Sequence, residues 1–204
     1  MSRKFFISGN GTDVGKTVVS ACLVHALKAD YWKPIQAGGL EFGDAERVKS
    51  LAGLNCQKVH STIYGLTQPM SPHAAAKVDG VEIQLDQIQF PKTDNKLIIE
   101  GAGGLLVPLN ERQTIINLVT HLNIPLILVC GVYLGSINHS LLTISEAERK
   151  GIEIAGLVFF GEQNEESERI ILKMSGMKKL GGVYPQGKIT SENIHLHSQQ
   201  FQSL

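Results

Sequence analysis

Neither sign of charge dominates this sequence: Lys plus Arg number 19 and Asp plus Glu number 19 in 204 residues. That balance excludes a global field drawing the chain to nucleic acid or to an anionic membrane surface. Long apolar runs are lacking too. The N-terminal stretch MSRKFFISG is apolar only from Phe5 to Ile7, too short for the core of a secretory signal. Nothing in the chain approaches the ~18 consecutive apolar residues of a membrane span. Cysteine is scarce: Cys22, Cys56 and Cys130 are odd in number, far apart and in no metal-ligand spacing. Such usage suits the reducing cytoplasm, with all three as small core residues. The expectation is a cytoplasmic protein with no nucleic-acid and no membrane partner, holding a small polar or anionic ligand in a local cluster.

What is present is ordinary globular material, 43% hydrophobic and 19% charged, so disorder is not the default. It suffices for one α/β domain spanning residues 1–204, with a mostly parallel central sheet flanked by helices on both faces. KFFIS (4–8) reads as a buried strand, and residues 16–29 carry Val19, Leu23, Ala26 and Leu27 at helical spacing. DYWKP (30–34) is a short strand closed by proline, which holds Lys33 in extended backbone. DAERVKSLA (44–52) predicts a short helix stopped by Gly53. Further strands are predicted at KLIIE (96–100), IPLILVCGV (124–132), IEIAGLVFF (152–160) and GGVYP (181–185). Helices are predicted over 138–150, with Asn138 or Ser140 near the cap and Gly151 as stop, and over 165–174. Strands separated by helices of this length imply right-handed crossovers and parallel pairing.

The segment GNGTDVGKT (9–17) lies between the first strand and the first helix. A phosphate loop needs small residues so that several backbone N–H groups converge on the anion. Behind it, a helix N-terminus offers unpaired N–H groups and a favourable dipole. Lys16 is placed to reach the β- and γ-phosphates, and the Thr17 hydroxyl to ligand magnesium. The strict motif asks for glycine five residues before Gly15, where this chain has Asn10. Glu100 closes the run LIIE ahead of GAGG, where parallel strands present their ends to a ligand crevice. A carboxylate there can join Thr17 on the metal. Asp44 opens a helix, where aspartate is also an ordinary cap, and Lys33 points at the same crevice. His73 and His139 stand near predicted helix starts, where a histidine is more often a packing or capping residue than a base. No arrangement resembles a zinc site or a nucleophilic triad.

Taken together, GTDVGKT (11–17), KPIQ (33–36), SPHAAA (71–76), EGAGGLLVPL (100–109), IPLILVCGVYLGSINH (124–139) and AGLVF (155–159) resemble, in order, the dethiobiotin synthetase family. The likeness covers nearly the whole chain to residue 160 and then thins. It implies a P-loop NTPase-like fold and an ATP- and magnesium-dependent ring closure. Diaminopelargonic acid (7,8-diaminononanoate) and carbon dioxide or bicarbonate would be the substrates, with ATP, or other nucleoside triphosphates, as cofactor. By this resemblance Lys33, Lys16 and Thr12 would be catalytic, and Thr17, Asp44 and Glu100 would hold magnesium. The nucleotide would meet Asp13, Val14, Gly15, Lys16, Thr17 and Val18 of the loop, with Asp44, Glu100, Gly101, Ala102 and Gly103. Its base would lie against Phe160, Tyr184, Pro185 and Gln186. The substrate would meet Thr12, Lys33, Ala37 and Pro72, with Gly135, Ser136, Ile137 and Asn138 contributed across a homodimer interface.

Two positions depart from the family pattern. Ala37 stands where a hydroxyl residue is usual, and Phe160 where an asparagine reads adenine; phenylalanine has no donor or acceptor with which to read a base edge. Two other readings remain. A dimeric switch ATPase of the partitioning or cobyrinate-amidation kind would place an extra lysine early in the loop, where this chain has Asn10 and Gly11. A weakened relative acting as a nucleotide sensor rests on Ala37 and Phe160 alone.

Overall fold

The computed structural model describes residues 3–53 and 58–204. In chain order its elements are β1 (Lys4–Gly9), α1 (Lys16–Leu27), β2 (Asp30–Trp32), β3 (Ile35–Ala37), α2 (Asp44–Ala52), β4 (Val59–His60), β5 (Tyr64–Leu66) and α3 (Pro72–Val78). Then come β6 (Leu97–Gly104), α4 (Ile115–Leu122), β7 (Leu126–Val132), α5 (Ser136–Arg149), β8 (Ile154–Gly161), α6 (Glu165–Ser175), β9 (Lys179–Val183) and α7 (Ser191–Ser198). Seven strands form one parallel sheet in the order β4-β2-β6-β1-β7-β8-β9. β1 therefore lies at the centre, between β6 and β7, and the Gly-rich loop leaves from its C-terminal end.

Strand alternation builds two cores. Phe5, Ile7, Ile98, Ile127, Val129 and Val158 face α1, α2 and α7. Phe6, Leu97, Ile99 and Leu126 face α3 and α4, while Leu128, Cys130, Leu157 and Phe159 face α5 and α6. A sheet buried on both faces explains why its strands read as continuous apolar runs. Cys22 and Cys130 are buried in these cores, and burial pushes both thiols up to about 12, as expected of inert core cysteines. Cys56 falls outside the described residues.

Three elements differ from the sequence reading. KLIIE does not stop at Glu100: β6 continues through the glycines to Gly104. A side chain at Gly101 would press on Phe6, with a Cβ only 2.7 Å from its ring, so this glycine serves close strand packing, whereas Gly103 takes the left-handed region at φ 73°. α5 opens at Ser136, capped by Gly135 in the left-handed region at φ 99°, so Asn138 sits inside its first turn and Ser140 beyond it. β9 covers Lys179–Val183, leaving Tyr184 and Pro185 past its end. The sequence reading also passed over the two-stranded parallel sheet of β3 and β5 and helices α3, α4 and α7, although α4 buries Ile115, Leu118, Val119 and Leu122 at helical spacing.

At the opposite end of β2 from the loop, Asp30 is fully buried. Its carboxylate accepts from Lys58 N (2.9 Å), Thr93 Oγ1 (2.7 Å) and Asn95 Nδ2 (2.9 Å), and lies 2.9 Å from His60 Nε2. Burial alone would raise its pKa, but these donors outweigh it and hold it at about 2, below the ordinary 3.8. A depressed carboxyl stabilises the fold above its unfolded value, and the contribution disappears as pH falls through about 2. The shift corresponds to about 2 kcal/mol. In urea unfolding, Asp30→Asn is therefore expected to be less stable than the parent at pH 6, with the gap shrinking by that amount toward pH 2. A gap that is constant with pH would remove this carboxylate from the acid response.

Candidate active site

The loop between β1 and α1 borders a cavity of about 760 Å³ at the C-terminal edge of the sheet. Gly15 caps α1 at φ 89°, and a Cβ there would collide with the Phe160 ring, so glycine is required twice over, by conformation and by space. Asp13 holds the left-handed region at φ 56° without being glycine. Strain of this kind clusters at ligand-binding segments. Lys16 is 7% exposed and its Nζ donates to Gly11 O at 2.9 Å, folding the side chain back along its own loop. Burial lowers its pKa, with Glu100 pulling the other way and Lys33 adding repulsion.

Four side chains, from α1, α2, β6 and the link between β2 and β3, converge beside it. Thr17 Oγ1, in the first turn of α1, lies 2.9 Å from Asp44 Oδ1 and 3.0 Å from Glu100 Oε1. Its single proton can serve only one of them. Lys33, 5% exposed, places Nζ 2.6 Å from Asp44 Oδ2 and 3.0 Å from Glu100 Oε1. Burial would strip Lys33 of its charge, but Glu100 and Asp44 outweigh it and hold the ammonium above its ordinary value. Asp44 is pulled down by Lys33 against its own burial. Tyr31 OH donates to Glu100 Oε2 at 2.9 Å, and burial together with the Glu100 charge raises the phenol well above its usual range. Glu100, mid-strand and 1% exposed, is thus fully partnered.

Among the described residues no cluster of three His, Cys, Asp or Glu side chains is placed to hold a metal. The oxygen set of Thr17, Asp44 and Glu100 nevertheless suits magnesium, which takes one or two carboxylates and completes its shell with phosphate oxygens and water. Lys33 sits between the two carboxylates and offsets one of their two negative charges.

Of the residues singled out from sequence, Thr12, Asp13, Gly15, Lys16, Thr17, Val18, Lys33, Ala37, Pro72, Asp44, Glu100, Ala102, Gly103 and Phe160 line the cavity. Val14 is instead buried in the core, and Gly101 lies against Phe6. Tyr184 does not line the cavity: its hydroxyl donates to Glu168 Oε1 at 2.7 Å, on the α6 side of β9. Pro185 and Gln186 do not line it either. Gly135, Ser136, Ile137 and Asn138 form the N-terminal end of α5 and stand apart from the cavity within this chain. His73 is exposed and outside the cavity, and His139 Nδ1 is 2.9 Å from Tyr133 OH.

Sequence reasoning passed over Tyr31, Arg47 and Ile189. Arg47 lines the cavity one helical turn beyond Asp44, a spacing visible in DAER, and Ile189 lines it near Phe160. A tyrosine inside a buried strand needs a partner for its hydroxyl, but only the pairing of Tyr31 with Ile98 shows that Glu100 supplies it.

Comparison with known proteins places the chain in a family and a fold. A family model described as an AAA domain matches residues 3–193. The ATP-dependent dethiobiotin synthetase BioD of Cytophaga hutchinsonii is 53% identical over 193 residues, 94% of this chain and 93% of that protein. Its namesakes in Christiangramia forsetii and Afipia carboxidovorans are 43% and 46% identical, over 98% and 95% of this chain and 97% and 93% of their own lengths. Among solved structures, a ParA family ATPase from Chlorobium tepidum aligns with TM-score 0.54 at 13% identity, covering 100% of this chain and 96% of that one. The Aquifex aeolicus MinC:MinD cell division complex gives 0.59 at 11% identity, over 99% and 94%. At such identities the structural likeness speaks for the P-loop fold alone.

Proposed function

Since the chain belongs to the dethiobiotin synthetase family, we propose that it closes the ureido ring of dethiobiotin from diaminopelargonic acid, carbon dioxide and ATP. The observation that carries the reading is the Thr17–Asp44–Glu100–Lys33 cluster set against the loop of residues 9–15. One substrate amine, having lost a proton, forms an N–C bond to carbon dioxide, giving a carbamate. A carbamate oxygen then attacks the γ-phosphorus, the bond to ADP breaks, and a carbamic–phosphoric anhydride results. The second amine attacks the carbamoyl carbon, closing the ring and expelling phosphate. Phosphoryl transfer of this kind is governed by positioning and charge stabilisation more than by covalent participation of the protein.

Lys16 would meet the β- and γ-phosphates, and Lys33 the carbamate and the transferring group. Thr17, Asp44 and Glu100 would hold magnesium, which when bound shields charge on the phosphate oxygens. The N-terminus of α5, with Gly135–Asn138, would receive the substrate carboxylate of a second subunit through its free N–H groups. Tyr133, Leu134 and Ile137, exposed apolar side chains on the same segment, support burial of this face in a homodimer. The switch-ATPase reading gains nothing from the ParA and MinD likeness, which extends to fold only.

Phosphate release from MgATP with bicarbonate, with and without diaminopelargonic acid, tests the proposal when dethiobiotin is followed by mass. Phosphate in step with dethiobiotin supports it; nucleotide binding with no such product sinks it.

The base is expected to be read weakly. Phe160, Val18 and Ile189 give the cavity an apolar wall, while Tyr184, Pro185 and Gln186 stand outside it. GTP and CTP are accordingly expected to support turnover within about tenfold of ATP, since apolar surfaces discriminate poorly between similar groups. A preference for ATP of about a hundredfold in kcat/KM would require an edge-reading contact to the base.

A further inference from the structure

Asn10 occupies the position where the strict phosphate-loop motif has glycine, and the structure shows what it does there. The residue is 8% exposed, at the exit of β1. Its carboxamide pairs with the backbone of Gly131 near the end of β7: Gly131 N donates to Oδ1 at 3.0 Å, and Nδ2 donates to Gly131 O at 3.3 Å. The same Nδ2 donates to Ser140 Oγ at 3.0 Å, and Ser140 is a fully buried residue in the second turn of α5. Asn10 N adds a bond to Val129 O at 3.0 Å. A side chain thus supplies the strand-like pairing that holds the loop entrance against β7, and extends it to a helix 130 residues along the chain. Glycine at this position would supply none of the side-chain bonds. Contact is close on the other side as well, since a Cβ at Gly131 would lie 2.8 Å from Val14 Cβ.

The next residue is Gly11, whose carbonyl holds Lys16 Nζ, and then come the cavity residues Thr12 and Asp13. The place of Gly11 O therefore depends on where Asn10 is anchored. By contrast the backbone at the N-terminus of α1, from Gly15 to Val18, is built by its own helix, and only the Lys16 side chain reaches back to Gly11 O.

We infer that Asn10 is a positioning residue that locks the phosphate loop to α5, making the loop's Thr12, the Lys16 side chain and the first two turns of α5 one rigid unit. The inference rests on the reading that the cavity takes a nucleoside triphosphate. It predicts that restoring the motif glycine harms the enzyme. In Asn10→Gly the Kd for MgATP stays within about threefold of the parent while kcat for dethiobiotin formation falls about ten- to a hundredfold, the usual consequence of a small misplacement. Ser140→Ala alone lowers kcat a few-fold, and adding it to Asn10→Gly changes nothing further, because both remove the same bond. A kcat within about twofold of the parent, equal proportional losses in Kd and kcat, or independent effects of the two substitutions would each overturn the inference.

A second readout needs no turnover. Amide exchange in the parent is expected to slow at residues 136–140 when MgATP binds, and in Asn10→Gly that slowing is lost while Gly131 N–H exchanges faster. Equal protection of α5 in both proteins overturns the inference. Absence of dethiobiotin from the parent would instead strike at the proposed reaction, leaving the exchange comparison to decide on Asn10.

Discussion

Lys33→Met is expected to lower the rate of dethiobiotin formation by a factor on the order of 10² to 10³, the effect of losing one preorganised cation at a transferring phosphoryl group. The same substitution lowers thermal stability, because Lys33 is the buried counter-charge of two carboxylates at 2.6 and 3.0 Å. Breaking a buried ionic cluster by removing one partner typically costs about 3–5 kcal/mol, since the remaining charges stay desolvated and unpaired. Two effects are thereby mixed in one variant, and a second substitution separates them. Lys33→Met with Glu100→Gln removes one positive and one negative charge together. Its melting temperature is expected to recover most of the loss while its rate does not.

The pH window of this stabilisation follows from the two shifts. Lys33 is raised above its ordinary 10.5, so its contribution is full below that value and is lost only as pH climbs through the raised one. Asp44 is held below 3.8, so its contribution is present above that value and fades as pH falls through the lowered one. Between these limits the cost of Lys33→Met is flat with pH. Parallel melts and steady-state rates at pH 6 and 8 check this. A single variant with parental rate would take Lys33 out of the reaction, whatever its stability.

The sequence carries the site better than it carries the sheet. Lys16 and Thr17 are legible because a phosphate loop is local: its residues are contiguous and their geometry is set by one strand, one turn and one helix. Glu100 is legible as a carboxylate ending an apolar run, although the run continues as strand through Gly104. Gly101 and Gly104, which look like a turn, are there because β6 passes tightly over Phe6 and the loop, a property of packing between strands that no single segment displays. Asp44 and Lys33 are ambiguous as isolated residues and become a cluster only when β2 and α2 are folded against α1, which is long-range information. The resemblance to a family supplied that information in place of geometry. Tyr31 and Arg47 lay outside both sources, and Asn10 showed only as a departure from the motif, with no role attached. Tyr31 needs the register of β2 on β6, and Asn10 needs a partner 121 residues away in β7. Tyr184 shows the reverse case. Its chain position suggests a base pocket, but Glu168 and Lys179 draw its hydroxyl to the other side of the sheet, through bonds of 2.7 and 3.1 Å.

Lys16→Gln is expected to have the opposite stability signature with an equally large kinetic one. The Lys16 ammonium donates to Gly11 O and, among the described residues, makes no hydrogen bond to a carboxylate. Burial lowers its pKa from the ordinary 10.5, so the folded protein carries a penalty for the charge at neutral pH. For a base whose folded value is depressed, that penalty is relieved as pH rises through the depressed value, and substitution by a neutral amide relieves it at every pH. The melting temperature of Lys16→Gln should therefore be unchanged or slightly raised. Turnover should fall by a factor on the order of 10² to 10³, because charge developing on the γ-phosphate oxygens loses its cation. Nucleotide affinity should fall much less, since the backbone N–H groups at the α1 N-terminus remain in place. The comparison with Lys33→Met is what gives the result its force. Two lysines line one cavity, yet one pairs with the protein's own carboxylates, and on the proposed function the other is held, at a cost in stability, for the ligand's charge. Loss of stability in Lys16→Gln comparable to that in Lys33→Met would show that Lys16 too is a counter-charge of the resting protein, and would reverse this division of roles.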